Sequence, residues 1–417
     1  MVYNRRNFLK TTAISSLAIP LVSCANLNKD DGLVDEQHLI DICNKPQLTI
    51  DTFKQPIIIE SIELVNLGET YFIRTRSKDG IEGISVTNKQ VDILYPIVLK
   101  SIIPFFIGKN ALHLETLLDE LYVYDSNYKM QGLALWCCVA WVEGSIIDLL
   151  GKSEGKHISD LFGVKLRNKV PIYVASGNRG TTPEEEIEIL QQKIAETGAK
   201  AVKFKVGGRM SRNKDSIPNR SESLIELSRK VLGNEITIQA DANGSYDVNK
   251  AIEIGKRLEG IGAYLFEEPC RFDNFEETKQ VADALSIPIS GGEQESSEYR
   301  FRKMISENVV QIVQPDLHYY GGFIRATRVA KMADSLGKPI TVHISNRNAG
   351  YAEMVNFSSY TPNIGLFQEL KTGMEATSDL FDPPIQVKEG FLNVPTAPGL
   401  GMGHAEYALK KAKTITI

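Results

Sequence analysis

The sequence lacks the features that mark several common classes of protein. It has no block of basic residues and a net charge of −5 at pH 7, so its electrostatics give no reason to expect a nucleic acid as partner. Its five cysteines fit neither a disulfide framework nor a zinc site, and we interpret Cys137 and Cys138 as buried core thiols. No segment after residue 24 is long and apolar enough to suggest a membrane span. We therefore expect the chain beyond that point to be a soluble globular protein.

The first 24 residues have the composition of an export signal. Arg5 and Arg6 precede an uncharged stretch, residues 11–23, that is too short to cross a bilayer. The arginine pair, followed by a phenylalanine and a leucine, resembles a twin-arginine signal. We expect residues 1–24 to direct export in a bacterium, so that the protein is either periplasmic or a membrane-anchored lipoprotein. A disordered basic terminus is the alternative.

A second signal lies at the end of this segment. Residues 21–24, which read Leu-Val-Ser-Cys, resemble the box at which bacterial lipoproteins are cleaved and lipidated. A lipid anchor at Cys24 would then hold the protein to a membrane through residues 25–53, whose polar composition we interpret as a linker.

Residues 54–165 have the pattern of a small α+β domain. Short apolar segments at 57–65 and 70–76, separated by turn residues, predict a meander of strands. The run 133–150 places apolar residues at spacings of three and four, which predicts a helix with one apolar face.

From residue 166 to residue 395 the chain repeats a short apolar segment, a turn and an amphipathic helix. The eight strand candidates are residues 170–175, 201–206, 236–240, 263–266, 287–290, 309–313, 340–343 and 364–368. Eight such units predict a closed (β/α) barrel, and 417 residues suit a barrel of about 250 residues with a smaller companion domain. The alternative is an open doubly wound sheet, which usually carries a glycine-rich phosphate turn that this sequence does not show after its first strand.

Ionisable residues follow the predicted strands in register. Barrel enzymes build their active sites at the carboxyl ends of the strands. At intervals of 23 to 27 residues, those ends carry Asp241, Glu267, Glu293, Asp316, His343 and Glu369. One such residue would most often be a turn former or a helix cap, but six in register predict a shared site.

Three of these carboxylates, Asp241, Glu267 and Glu293, come from neighbouring strands. Carboxylates that project into one cavity repel one another unless a cation neutralises them. Three oxygen ligands without cysteine or histidine suit Mg²⁺ better than Zn²⁺. The sequence therefore predicts one Mg²⁺ ion in each active site.

Basic groups are expected on both sides of this ion. Lys203 and Lys205 are two residues apart on one strand, so both should face the barrel interior, where repulsion and burial would lower the pKa of one lysine. Asp316 can accept a hydrogen bond from one ring nitrogen of His343 and raise the basicity of the other. Glu369, near a substrate carboxylate, should have a raised pKa and donate a hydrogen bond. Such a set suits removal of a proton α to a carboxylate, since a cation and a donor stabilise the developing charge.

The residues of the predicted site stand in recognisable motifs. These are Lys203-x-Lys205, Asp241-Ala-Asn243, Glu267-Glu268-Pro269, Gly292-Glu293 and the pair Asp316 and His343. As a set they resemble the mandelate racemase subgroup of the enolase superfamily, over about residues 54–415. The resemblance implies a modified (β/α)₇β TIM-type barrel with an N-terminal α+β capping domain, on which we expect residues 396–417 to pack.

The resemblance also implies roles for individual residues. Mg²⁺ would bind the three carboxylates, Lys205 and His343 would be opposed bases, Lys203 would touch the metal-bound carboxylate, and Glu369 would face it from the other side. Most proteins resembling this pattern dehydrate acid sugars, so we expect a hydro-lyase acting on a small sugar acid, an aldonate or an aldarate. The alternatives are a cycloisomerase or epimerase of a sugar-derived acid and a non-catalytic sugar-acid-binding lipoprotein.

Contacts with the substrate are less clearly marked. We expect polar residues near the site to bind hydroxyl groups, and the candidates are Asn178, Asn243, Tyr319 and Asn346. Specificity should reside in loops of the N-terminal domain near residues 79–88. We expect a homo-oligomer, although the sequence does not reveal its size.

Overall fold

The computed structural model describes residues 35–346, 348–371 and 379–416. The predicted export signal, Cys24 and the first part of the predicted linker lie outside these residues.

The described residues form strands and helices that alternate over most of the chain. The strands are β1 Ile59–Leu67, β2 Thr70–Ser77, β3 Glu82–Val86, β4 Lys169–Ala175, β5 Ala201–Lys205, β6 Thr237–Asp241, β7 Leu265–Glu267, β8 Ile289–Gly291, β9 Ile312–Val313, β10 Gln368–Lys371, β11 Val387–Lys388, β12 Phe391–Asn393 and β13 Lys413–Thr414. The α-helices are α1 Glu36–Asn44, α2 Val91–Ile97, α3 Ile103–Phe106, α4 Leu114–Val123, α5 Leu133–Ser153, α6 Pro183–Thr197, α7 Arg220–Leu232, α8 Val248–Gly260, α9 Phe275–Ala284, α10 Glu298–Ser306, α11 Leu317–Tyr320, α12 Phe323–Ser335, α13 Tyr351–Tyr360 and α14 Ala405–Ala408. Val98–Ile102 is a π-helical segment, and the 3₁₀ segments are Ala111–His113, Tyr124–Met130, Ile158–Asp160, Asn348–Gly350 and Leu409–Lys411.

An antiparallel sheet with strand order β13-β1-β2-β3 forms the N-terminal unit. β1 and β2 are joined at Gly68, whose φ of +65° lies in the left-handed region that favours glycine. α5 packs so closely on β3 at Gly83 that any side chain at this position would collide with the carbonyl of Ser145. The C-terminal strand β13 pairs with β1. The domain limits at residues 54–165 and 396–417 themselves stay predictions.

Helix α5 is the apolar core of this unit. Its 21 residues are long and apolar enough by composition to cross a bilayer, so the prediction that no such segment follows residue 24 is wrong. In the structure 89% of its most apolar stretch is buried, and the helix packs against β2, β3 and α11. α5 therefore has the surroundings of a core helix of a globular protein.

Part of the predicted linker is helical. The side chain of Asp35 accepts a hydrogen bond from the backbone of Gln37 at 3.0 Å and begins α1. Leu39, Ile42 and Cys43 of this helix are buried, and α1 packs on α12 and α10. The sequence pattern does not reveal this nine-residue helix, because its apolar face is short and polar residues surround it.

The second sheet closes into the predicted barrel. β4 to β9 are parallel and pair in chain order, and β10 pairs in parallel with the other edge of β4. Isolated bridges from Val313 to Ile340 and from Ile340 to Ile364 connect β9 to the region of β10. The chain thus has a modified (β/α)₇β barrel with an N-terminal α+β unit, as predicted.

Two of the eight predicted strands differ from the structure. Residues 340–343 form bridges with Val313 and Asp316 but no continuous ladder. The predicted position of the eighth strand, residues 364–368, is wrong, since β10 covers Gln368–Lys371. Glu369 therefore lies within the strand and not after its end.

Candidate active site

The three predicted metal ligands converge at the carboxyl ends of β6, β7 and β8. Asp241, Glu267 and Glu293 are buried, and one oxygen of each lies within 4.8 Å of the others. Burial raises the pKa of Glu267 to about 8, and the nearby carboxylates of Asp241 and Glu293 add to this against the ammonium of Lys203. The pKa of Asp241 is lowered despite its burial, because Lys205 and Lys203 face it. A compact buried set of hard oxygen donors is the set that fits Mg²⁺.

Lys203 lies beneath this cluster with its ammonium fully buried. Its Nζ lies 2.8 Å from both carboxylate oxygens of Glu267 and 3.3 Å from Oε1 of Glu369. Burial opposes its charge, but Glu267, Tyr173 and Glu369 raise the pKa of Lys203 well above its ordinary value. Lys203 is therefore not the lysine of the pair whose pKa is lowered, because the groups around it outweigh its burial.

Lys205 occupies the other position expected from the strand period. It stands opposite Asp241 in the β5–β6 ladder, and its Nζ bonds the Asp241 carboxylate. Unlike Lys203, it reaches the cavity. The two lysines thus differ in access, and Lys205 is the one that a substrate can meet.

His343 and Asp316 form the predicted pair. Nδ1 of His343 lies 2.8 Å from Oδ2 of Asp316, and the two residues form an isolated parallel bridge. Asp316 also begins α11, where its Oδ1 accepts the backbone N–H groups of His318 and Tyr319, each at 2.9 Å. Burial works against the charged ring, but Glu293 and the hydrogen bond that the ring donates to Asp316 raise the pKa of His343.

Glu369 is held by cations on both sides. Its Oε1 faces Lys203, and its Oε2 lies 3.5 Å from Nζ of Lys371 and accepts the backbone N–H of Ile344 at 3.1 Å. Burial would raise its pKa, but Lys371 and Lys203 hold the pKa of Glu369 below its ordinary value. In these surroundings Glu369 is a carboxylate that accepts hydrogen bonds, and the raised pKa expected beside a substrate carboxylate stays a prediction.

Lys371 is a site residue that the sequence patterns did not single out. Its Nζ lies 3.2 Å from Nε2 of His343 and bonds the carbonyl of Ile344, and it lines the cavity. The signal was present: Glu369-x-Lys371 has the same spacing of two as Lys203-x-Lys205. Misplacing the eighth strand hid it.

The four proposed substrate-binding residues divide into two pairs. Tyr319 and Asn346 line the cavity, and the ring of Tyr319 lies 6.2 Å from that of His343. Asn178 and Asn243 are not among the lining residues. Asn243 instead accepts a hydrogen bond from Arg179 at 2.7 Å and lies 3.3 Å from Glu268.

Part of this set lines one cavity of about 570 Å³, namely Lys205, Glu293, Tyr319, His343, Asn346, Glu369 and Lys371. Lys205 and His343 both line it, the first from the second strand position and the second from the seventh, so the metal-ligand strands lie between them along one arc. The N-terminal unit contributes residues 69–71 and several residues within 87–92, including Asn88. The specificity loop predicted at residues 79–88 therefore reaches the cavity only at its last two residues. A cavity that is lined by two separated bases and by one member of a buried acidic triad, Glu293, can move a proton at a carbon beside a carboxylate.

Comparison with known proteins shows which family and which enzymes this chain is similar to. The family model described as enolase C-terminal domain-like matches residues 165–408. Arabinonate dehydratase of Saccharolobus solfataricus is 27% identical over 313 residues, which cover 74% of this chain and 81% of that protein. D-galactarolactone cycloisomerase of Agrobacterium fabrum is 27% identical over 309 residues, 72% of this chain and 79% of that protein. The crystal structure of a mandelate racemase/muconate lactonizing protein from Paracoccus denitrificans, complexed with magnesium, is 26% identical with a TM-score of 0.79 and covers 86% of this chain and 99% of that one.

Proposed function

This chain belongs to the enolase superfamily, in its mandelate racemase subgroup, and on that premise we propose that it is a magnesium-dependent acid-sugar dehydratase. The reaction removes the proton α to a carboxylate and expels the β-hydroxyl as water. The observation that carries the proposal is the buried acidic triad, of which Glu293 lines the same cavity as Lys205 and His343. Acid-sugar dehydratases among the relatives favour this outcome over others.

Asp241, Glu267 and Glu293 would hold the Mg²⁺ ion. When bound, the ion supplies positive charge that stabilises the negative charge developing on the substrate carboxylate. Its presence in the Paracoccus denitrificans relative supports this assignment.

Two bases on different flanks give the reaction its proton transfers. The α-proton passes to one of Lys205 and His343, and the other, in its protonated form, donates a proton to the β-oxygen. The C–O bond then breaks, water leaves, and the enol that remains tautomerises to a 2-keto acid. The ammonium of Lys203, fixed between Glu267 and Glu369, keeps these two carboxylates in place without entering the cavity.

The direct test is isotope exchange and product formation on a panel of aldonates and aldarates in D₂O, with and without Mg²⁺. We expect Mg²⁺-dependent loss of the α-proton and accumulation of a 2-keto acid from at least one substrate. Absence of exchange across the panel would contradict the proposal and favour a non-catalytic sugar-acid-binding lipoprotein.

The bases can be tested separately. Lys205→Ala and His343→Asn should each slow proton removal from one face of the α-carbon by about 10²–10⁴-fold, which is what a positioned base contributes. Neither should lose Mg²⁺ affinity, because neither residue is a proposed ligand. Loss of metal binding in both variants would show that the roles are misassigned.

A cycloisomerase or epimerase is the second candidate, favoured by the Agrobacterium fabrum relative. It shares the first proton removal with the dehydratase and differs only in the fate of the resulting enolate. Exchange at the α-carbon without a 2-keto acid product, together with a new epimer or a ring-opened acid, would select it.

The location and assembly of the protein complete the proposal. Residues 1–24 would direct export, and Cys24 would carry a lipid anchor in a membrane-bound form. Comparing the membrane fraction and mature mass of the wild type with those of Cys24→Ala tests the anchor. Size-exclusion chromatography with light scattering tests the expected homo-oligomer.

A further inference from the structure

The N-terminal unit reaches the histidine base through one hydrogen-bonded side chain. Nδ2 of Asn88, just after β3, lies 2.9 Å from Oγ of Ser345. Oγ of Ser345 in turn lies 3.0 Å from Oδ1 of Asp316, whose other oxygen holds His343. Three contacts therefore connect the end of a strand outside the barrel to the ring of the base.

The orientation of the Asn88 amide is fixed by a second contact. Its Oδ1 lies 3.1 Å from the backbone nitrogen of Gln90, which can only donate, so this end of the amide must be the oxygen. The NH₂ group then points at Ser345 and donates to it. Because a hydroxyl has a single proton, Ser345 accepts from Asn88 and gives its own proton to Asp316.

The same reasoning fixes the histidine. Oδ1 of Asp316 receives Ser345 and two backbone N–H groups, and Oδ2 is left for His343. A carboxylate only accepts, so the ring proton of neutral His343 lies on Nδ1 and Nε2 carries the lone pair. The ammonium of Lys371, 3.2 Å from Nε2, is a donor and agrees with this tautomer.

We propose that Asn88 acts through Ser345 as a positioning residue for the histidine base. Ser345 donates to one oxygen of Asp316 and so helps to fix the carboxylate whose other oxygen holds Nδ1 of His343, with Nε2 facing the cavity ready to accept a proton. The segment after β3 is also linked to this flank through Gln90, whose side chain bonds Tyr319. The inference rests on the proposed function in one respect, which is that the proton accepted by Nε2 comes from the α-carbon of the substrate.

The sharpest variant is Asn88→Asp. It keeps the size of the side chain and the acceptor for Gln90, but it presents a carboxylate oxygen to Ser345, which then donates toward residue 88 and away from Asp316. Ser345→Ala removes the link, and Ser345→Thr restores the hydroxyl. Asn66→Ala is the matched control, because Asn66 also bonds within the N-terminal sheet and lies outside the cavity lining.

The readout is proton removal from each face of the α-carbon, measured with two C2-epimeric sugar acids in D₂O. We expect Asn88→Asp and Ser345→Ala to slow the His343 face roughly three- to tenfold, the loss of one hydrogen bond, with the Lys205 face unchanged. Ser345→Thr and Asn66→Ala should match the wild type. Equal slowing of both faces would indicate a general structural role, and no slowing would indicate none; either result overturns the proposal.

A second readout does not need turnover. Nuclear magnetic resonance of ¹⁵N-histidine-labelled protein should show His343 protonated at Nδ1 in the wild type and in Asn88→Asp, with the Nδ1–H resonance shifted in the variant because the Asp316 carboxylate has lost one donor. An unchanged Nδ1–H resonance would overturn the inference. If the wild type shows no exchange with any sugar acid, the proposed function fails, while this spectrum still decides the role of Asn88.

Discussion

The two flanks of the cavity hold their charged groups in different ways. On the lysine flank, β5, β6 and β7 form a regular parallel ladder, and ammonium groups face carboxylates directly across it. On the histidine flank, residues 340–343 form only isolated bridges, and His343 is held by the hydrogen bond that its Nδ1 donates to Asp316. The lysine flank therefore depends on buried ion pairs, and the histidine flank depends on directed hydrogen bonds.

This difference predicts different consequences of mutation. Removing one charge from a buried pair leaves the other uncompensated, which destabilises the fold. Changing a hydrogen bond that orients a base leaves the fold intact and alters catalysis.

The largest expected effect comes from Lys203→Met. The variant leaves Glu267 and Glu369 without their shared buried ammonium, so we expect a loss of about 3–5 kcal/mol in the free energy of unfolding at neutral pH. Urea unfolding measures it. Excess Mg²⁺ should recover part of the loss, because an ion bound only by the folded state stabilises it. Lys205→Met is the comparison variant on the same strand. A loss below about 1 kcal/mol in the free energy of unfolding of Lys203→Met would contradict the contrast between the two flanks.

Asp316→Asn should have the opposite profile. Asparagine begins a helix as well as aspartate does, so α11 and the free energy of unfolding should be nearly unchanged. The amide can donate to Nδ1 of His343 and favour the tautomer with its proton on Nε2. We expect proton removal on the His343 face to fall about 10²-fold while the Lys205 face keeps its rate. Stability and face-specific exchange measured on the same sample check this, and a large loss of stability would count against it.

The contrast between the regular strand ladder of the lysine flank and the isolated bridges of the histidine flank explains which parts of the molecule could be predicted from the sequence. Asp241, Glu267 and Glu293 follow strands whose spacing is regular, so counting residues located them correctly. Thr182 and Glu185 form the reciprocal cap at which α6 begins, a kind of signal that depends only on residues close in sequence.

The remaining errors arise where the local sequence pattern does not show where a strand begins or which distant segments lie beside each other. The segment before Glu369 contains an apolar run at 364–367, which resembles a strand but precedes the true one. Consequently Lys371 was missed. The contact of Asn88 with Ser345 joins residues 257 positions apart, and no periodicity in either segment points to the other. The pairing of Lys203 with Glu369 could likewise not be predicted, because it exists only once the barrel closes.

Lys371→Met tests whether the positive charge of Lys371 helps to bind an anionic substrate on the histidine flank. Lys371 is partly exposed, lies 3.2 Å from Nε2 of His343, and faces the cavity, where an anionic substrate would meet it. A hydrogen bond to a charged group contributes about 1.5–3 kcal/mol at most, and solvent reduces this, so we expect kcat/KM to fall about tenfold. The loss should appear mainly in KM, since the base itself stays in place, and Lys371→Arg should recover much of it. Because only a partly exposed cation is removed, the free energy of unfolding should change far less than in Lys203→Met. An equal loss in the arginine and methionine variants would mean that the shape of Lys371, and not its charge, matters on this flank.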